Sequence, residues 1–88
     1  MKKVTFIIEN TMGIHARPAG EIVKLAAKFD SEIMLSGNGK EAKAKGLLMI
    51  MAMGIKKGHE LVVTVDGNDE DEVLKAFEVL ISENFYED

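Results

Sequence analysis

Gly13-Ile14-His15-Ala16-Arg17-Pro18-Ala19, residues 13–19, is where the pattern of the chain changes, and the fold can be read outward from it in both directions. Upstream, Val4, Phe6 and Ile8 alternate with Lys3, Thr5 and Ile7 over residues 3–9, the period-two pattern of a half-buried strand. Residues 10–13 then read as a loop. Downstream, Pro18 suits the first turn of a helix, where its missing N–H would have had no partner anyway. Ala19, Ile22, Val23, Ala26 and Phe29 recur behind it at helical spacing, which predicts an amphipathic helix over residues 16–29. His15 therefore falls within a residue or two of a helix N-terminus.

Further along, residues 32–36 form a second strand with Ile33 and Leu35 on one face. Gly37-Asn38-Gly39 follows, where Asn-Gly supplies the positive φ angles of a tight hairpin turn into a third strand, residues 40–44. Residues 46–53 are apolar without period and stop at Gly54, which fits a short helix with a glycine stop. In residues 60–66, Leu61, Val63 and Val65 alternate with Val62 and Thr64 before Gly67 breaks the run. Asn68 is the expected N-cap of a last helix, with carboxylates from Asp69 to Glu72 in its first turn and a core stripe of Val73, Leu74, Phe77, Leu80 and Ile81. The order β-α-β-β-α-β-α predicts an α+β fold, a four-stranded, mainly antiparallel sheet with three helices on one face, built as one domain over residues 1–88.

Composition narrows the function. A chain of 88 residues builds one core, so a deep substrate cavity enclosed by one copy is not expected, and chemistry belongs on the surface. With no cysteine, disulfides, thiolate nucleophiles and thiolate metal sites are excluded, and no metal or cofactor is expected. A net charge of −4 with one tyrosine and no tryptophan argues against a nucleic-acid binder. The N-terminus lacks the apolar run of a signal peptide, and the nearly uncharged residues 46–55 are about half of a membrane span, so a soluble cytoplasmic chain is expected. Lys40, Lys43 and Lys45 read as a solvated face. His59, in a turn ahead of a strand, is expected to have no chemical role.

A histidine at a helix start is chemically loaded. The first-turn N–H groups point outward and bind a phosphate through hydrogen bonds and the helix dipole together. Imidazole, titrating near 6.5 when unperturbed, offers a neutral nucleophilic nitrogen at neutral pH. Arg17 can neutralise phosphoryl oxygens with a planar, always charged fork. On local chemistry alone, however, a histidine beside an arginine at a helix start reads first as a surface cap, and the chemical role is the minority reading.

The whole string of residues 13–19 resembles the phosphorylation-site signature of the HPr family, the histidine-containing phosphocarriers of the bacterial phosphoenolpyruvate:sugar phosphotransferase system. The resemblance runs the full chain, through Gly37-Asn38-Gly39-Lys40, the lysine-then-apolar residues 43–54, Ile55-Lys56-Lys57-Gly58 and the acidic start of the last helix. It implies an open-faced β-sandwich and a carrier used stoichiometrically, not an enzyme with turnover. It further implies that His15 is phosphorylated on Nδ1 by phosphorylated enzyme I and passes the group to a sugar-specific IIA component, with Arg17 assisting. The Ala16 and Arg17 N–H groups and Pro18 would shape the phosphate site. In this light Leu47, Leu48 and Met51 are expected to form an exposed patch beside His15 for partner proteins, while Ile50 joins the core. Gly20 could let a partner approach the first turn. A working monomer is expected.

Two positions depart from the family. Many Gram-positive members carry a regulatory serine right after the lysine matching Lys45; here it is Gly46, and no Ser, Thr or Tyr lies between Ser36 and Thr64. Kinase regulation at this site is therefore not expected. Met12 stands where a small polar residue often sits, and a thioether cannot donate a hydrogen bond. Three alternatives stay open on sequence: a paralogous carrier in a regulatory branch, a small metabolite-binding module with His15 a mere cap, and a small phosphohydrolase. The last is disfavoured by the absence of a second carboxylate or base beside His15.

Overall fold

In the computed structural model, which describes residues 1–86, the elements follow the predicted order. They are β1 (Lys2–Ile7), α1 (Ala16–Ala26), β2 (Glu32–Gly37), β3 (Lys40–Lys43), α2 (Leu47–Ala52), β4 (Glu60–Asp66), α3 (Glu70–Ser82) and a closing 3-10 turn, Asn84–Tyr86. The sheet order is β1-β4-β2-β3 and every pairing is antiparallel. Register brings the apolar alternates together, with Phe6 opposite Leu61, Val63 between Val4 and Leu35, Ile33 opposite Val65 and Leu35 opposite Ala42. That face packs under the helices, and Phe77, Ile22, Val73, Ile50 and Met53 fill the core above it. The opposite face, carrying Thr5, Val62, Met34 and Thr64, is left open.

Alternation set the strands, and lateral coverage set how deeply each is buried. β4 has two neighbours and buries Leu61, Val63 and Val65 fully, whereas edge strand β1 has one, leaving Val4 exposed and Phe6 half-buried. Ile8 has left the strand but stays in the core, bonded to the turn 58–59 by Ile8 N–H to the His59 carbonyl at 3.0 Å and Gly58 N–H to the Ile8 carbonyl at 2.7 Å. The hairpin has the expected twist, with φ of 53° at Asn38 and 73° at Gly39. The Asn38 side-chain amide also donates to the Met53 carbonyl at 2.8 Å, tying the hairpin to the end of α2.

Most element ends differ from the sequence reading by a residue or two, β1 being Lys2–Ile7 and not 3–9, and two of the differences have a clear local cause. α1 stops at Ala26 and not at residue 29, because Lys28 N–H bonds the Leu25 carbonyl and Phe29 N–H the Ala26 carbonyl, three residues back. The apolar stripe thus outlasts the α-helix by one tightened turn. The N-cap of α3 is Asp69, not Asn68, and its side chain does not cap the helix. Its carboxylate reaches across to accept from the amides of Asp30 (3.0 Å) and Ser31 (3.2 Å) and from the Ser31 hydroxyl. The acidic first turn is otherwise used as expected, with Glu70 2.9 Å from the N-terminal ammonium.

Candidate functional site

The loop 10–14 is held from two sides before it delivers His15. The Asn10 side-chain amide donates to the Gly13 carbonyl at 2.7 Å, and Ile14 N–H donates to the Ile55 carbonyl at 2.9 Å. Gly13 has φ of +67°, and a Cβ there would lie 2.4 Å from the Ile55 oxygen and 2.6 Å from Lys56 Cα. Only glycine satisfies both the left-handed backbone and this approach. The contact presses the His15 loop onto the turn that follows α2.

His15 is the N-cap of α1 with an extended backbone, and its carbonyl accepts from Ala19 N–H at 3.0 Å. No side-chain hydrogen bond from His15 caps the helix. The N–H groups of Ala16 and Arg17 have no intrahelical acceptor, Pro18 has no N–H, and no acidic residue occupies the first turn. That end of the helix dipole is therefore not offset by a carboxylate of its own turn. Ala16 and Arg17 are exposed while Pro18 is buried, so Pro18 fixes the backbone and does not donate.

His15 borders an open cleft of about 500 Å³ lined by Thr11, Met12, Ile14, Met51, Gly54, Ile55 and Lys56. The fold thus brings Met51 and Met12 to His15. Leu47 and Leu48 do not line the cleft; they extend α2 outward as an apolar surface, Leu48 being 78% exposed, and α2 packs against α1. Ile50 is fully buried, as expected, and Met49 joins the exposed surface. A Cβ at Gly20 would touch nothing within 4 Å, so packing does not demand glycine there. Thr11 and Lys56 were missed from sequence. The available signal was the glycine at position 13, which marks a close backbone approach without naming its partner.

A site that offers a histidine, an arginine and helix amides to an anion on a four-stranded sheet can be compared with known proteins. Residues 2–83 match the family model described as the PTS HPr component phosphorylation site. The chain belongs to the HPr family. It is 42% identical over 76 residues to the phosphocarrier protein HPr of Mycoplasma capricolum subsp. capricolum, covering 86% of this chain and 85% of that protein. The crystal structure of HPr-C-His from Thermoanaerobacter tengcongensis superposes with a TM-score of 0.92 at 40% identity, covering 100% of this chain and 99% of that one. An HPr dimer from the same organism matches at TM-score 0.75 and 40% identity, over 97% of this chain and 98% of that one. The chain is thus a phosphocarrier of the phosphotransferase system, on the HPr fold.

Within that family the two departures acquire a structural setting. Gly46 is the N-cap of α2, a place where a serine would have put its hydroxyl on the first turn, and no side chain caps it. Met12, 70% exposed, is on the rim of the His15 cleft, and the neighbouring Thr11 brings a hydroxyl to the same cleft.

Proposed function

We propose that His15 is the residue that carries the phosphoryl group, on Nδ1, received from phosphorylated enzyme I and given to a sugar-specific IIA component. The observation that supports this best is the position of His15 at the N-cap of α1, on an open cleft and beside the outward-pointing first-turn amides of Ala16 and Arg17. The imidazole nitrogen attacks phosphorus as the bond to the donor breaks, and the new P–N bond leaves negative oxygens facing the Ala16 and Arg17 N–H groups. Arg17, exposed next to them, neutralises those oxygens. Transfer onward is the same step reversed onto another nucleophile, so the chain is consumed and regenerated stoichiometrically without substrate turnover. The exposed Leu47, Leu48 and Met51 give successive partners an adaptable apolar surface, and the space above Gly20 gives them access to the first turn.

No helix among the described residues is long and apolar enough to cross a membrane. We place the carrier in the cytoplasm, where phosphoenolpyruvate and enzyme I would charge it, and as a monomer, since one copy supplies every site residue. Sedimentation at working concentration tests the monomer. Phosphoenolpyruvate with enzyme I should give a phosphohistidine 31P resonance that disappears when a IIA component is added. His15→Ala should abolish it; phosphate uptake by that variant would overturn the assignment.

A further inference from the structure

We infer that Lys56 is a second cationic contact for the phosphoryl group on His15, and that His59 is a positioning residue that holds it there. The inference rests on the assignment of His15 above. Lys56 lines the same cleft as His15, and its Cα lies against Gly13, two residues before the histidine. Its side chain is exposed, and among the described residues neither it nor Arg17 forms an ion pair, although the chain carries a net charge of −4. A phosphorylated nitrogen near neutral pH brings close to two negative charges, and Arg17 approaches from α1 alone. Lys56 is a cation on another wall of the cleft.

The turn that presents Lys56 is fixed at both ends. Lys56 N–H donates to His59 Nδ1 at 2.9 Å, and His59 N–H donates back to the Lys56 carbonyl at 2.9 Å. Gly58, with φ of +92°, and His59 are bonded to Ile8, and Ile55 is bonded to Ile14. Because Nδ1 accepts, the neutral ring carries its proton on Nε2. The backbone of Lys56 is therefore pinned relative to His15 while its ammonium stays free to follow the phosphoryl group in and out.

The test compares wild type with Lys56→Gln, Lys56→Arg, His59→Leu and His59→Asn, using phosphoenolpyruvate and enzyme I. Lys56→Gln should slow labelling about three- to fivefold at low salt, the range for an exposed charge contact, and the difference should fade at about 0.5 M salt. The 31P titration midpoint of the phosphohistidine should move up in Lys56→Gln and stay at the wild-type value in Lys56→Arg. His59→Leu should move the midpoint in the same direction, and His59→Asn, whose Oδ1 can stand in for Nδ1, should restore it. Label on wild type with an unchanged Lys56→Gln titration overturns this inference alone, even if labelling slows, because the lysine would then serve only protein docking. Absence of label on wild type overturns the His15 assignment and this inference with it.

Discussion

Two glycines flank His15, and replacing each by alanine should have opposite effects. At Gly13 the φ of +67° costs an alanine about 1–2 kcal/mol. Its Cβ would meet two backbone atoms, the Ile55 oxygen at 2.4 Å and Lys56 Cα at 2.6 Å, neither of which can rotate away. Relieving that overlap adds about 1–3 kcal/mol of displacement, while the stiffer unfolded chain returns about 0.4–1 kcal/mol. The net loss is about 3 kcal/mol. With an unfolding entropy of about 2.1 cal/mol/K per residue, that lowers Tm by about 15 °C for a chain of 88 residues.

Gly20 lies within α1, and a Cβ there meets nothing within 4 Å, so Gly20→Ala should gain up to about 1 kcal/mol, or about 5 °C. Thermal and urea unfolding of both variants, beside the rate of labelling by phosphoenolpyruvate and enzyme I, gives the answer. Gly13→Ala should slow labelling even well below its Tm, since the turn that carries Lys56 is displaced. A Gly13→Ala loss under about 0.5 kcal/mol, or a Gly20→Ala loss above about 1 kcal/mol, would refute the reasoning from backbone approach.

Leu48→Asp, at a side chain 78% exposed, should leave stability within about 0.5 kcal/mol and slow transfer from the donor protein about tenfold, measured by urea midpoint and labelling rate. The Ser31 hydroxyl, followed by the Asp30 amide, holds the Asp69 carboxyl below its ordinary value of 3.8, and the N-terminal ammonium, followed by the Gly67 amide, does the same for Glu70 below 4.5. Both contributions are present above those ordinary values and are lost as pH falls through them toward the lower folded ones, so Asp69→Asn should flatten part of the acid limb of Tm against pH. The amine of Met1, raised above 8.0 first by its bond to Glu70, contributes below pH 8 and stops contributing as pH rises through its raised value; N-terminal acetylation should remove that alkaline limb. Incubation with the kinase that phosphorylates the family's serine, plus ATP, should leave the intact mass unchanged. Gly46→Ser, whose Cβ would sit 3.4 Å from the Lys43 oxygen and Met49 sulfur at ordinary negative φ, should gain a few tenths of a kcal/mol as an N-cap.

What could be read from the sequence was what nearest neighbours along the chain decide. Residues 60–66 were bounded correctly at both ends because their alternation runs between glycine-bearing turns, and Asn38-Gly39 named its own hairpin. Asp69 was misread because its carboxylate is claimed by Asp30 and Ser31, about forty residues away, a competition that capping preference ignores. The contact of the turn 55–59 with the loop 10–14, which brings Lys56 to the His15 cleft, joins residues about forty apart and is for the same reason not written in local sequence. For His15, local chemistry favours a surface cap, and only the full-length family resemblance turns the reading to a phosphate site. The structure puts His15 at the N-cap of α1, the helix start that Pro18 marks in the sequence.

A carrier must release its phosphoryl group as readily as it accepts it, which limits how tightly the site can hold the anion. Buried, fully desolvated cations would bind it strongly and trap it, because removing one partner from a buried charge pair costs about 3–5 kcal/mol. The proposed arrangement avoids that: Arg17 and Lys56 are both exposed, so each proposed contact with the anion would contribute only about 0.2–1 kcal/mol. Precision is supplied by the backbone instead, where Gly13 against Ile55, Ile14 N–H on the Ile55 carbonyl and the turn clasped by His59 leave little freedom. Rigid main chain with weakly held charges fixes where the phosphoryl group sits without deepening its well, and the methionine- and leucine-bearing surface of α2 can then supply the protein affinity that differs from partner to partner.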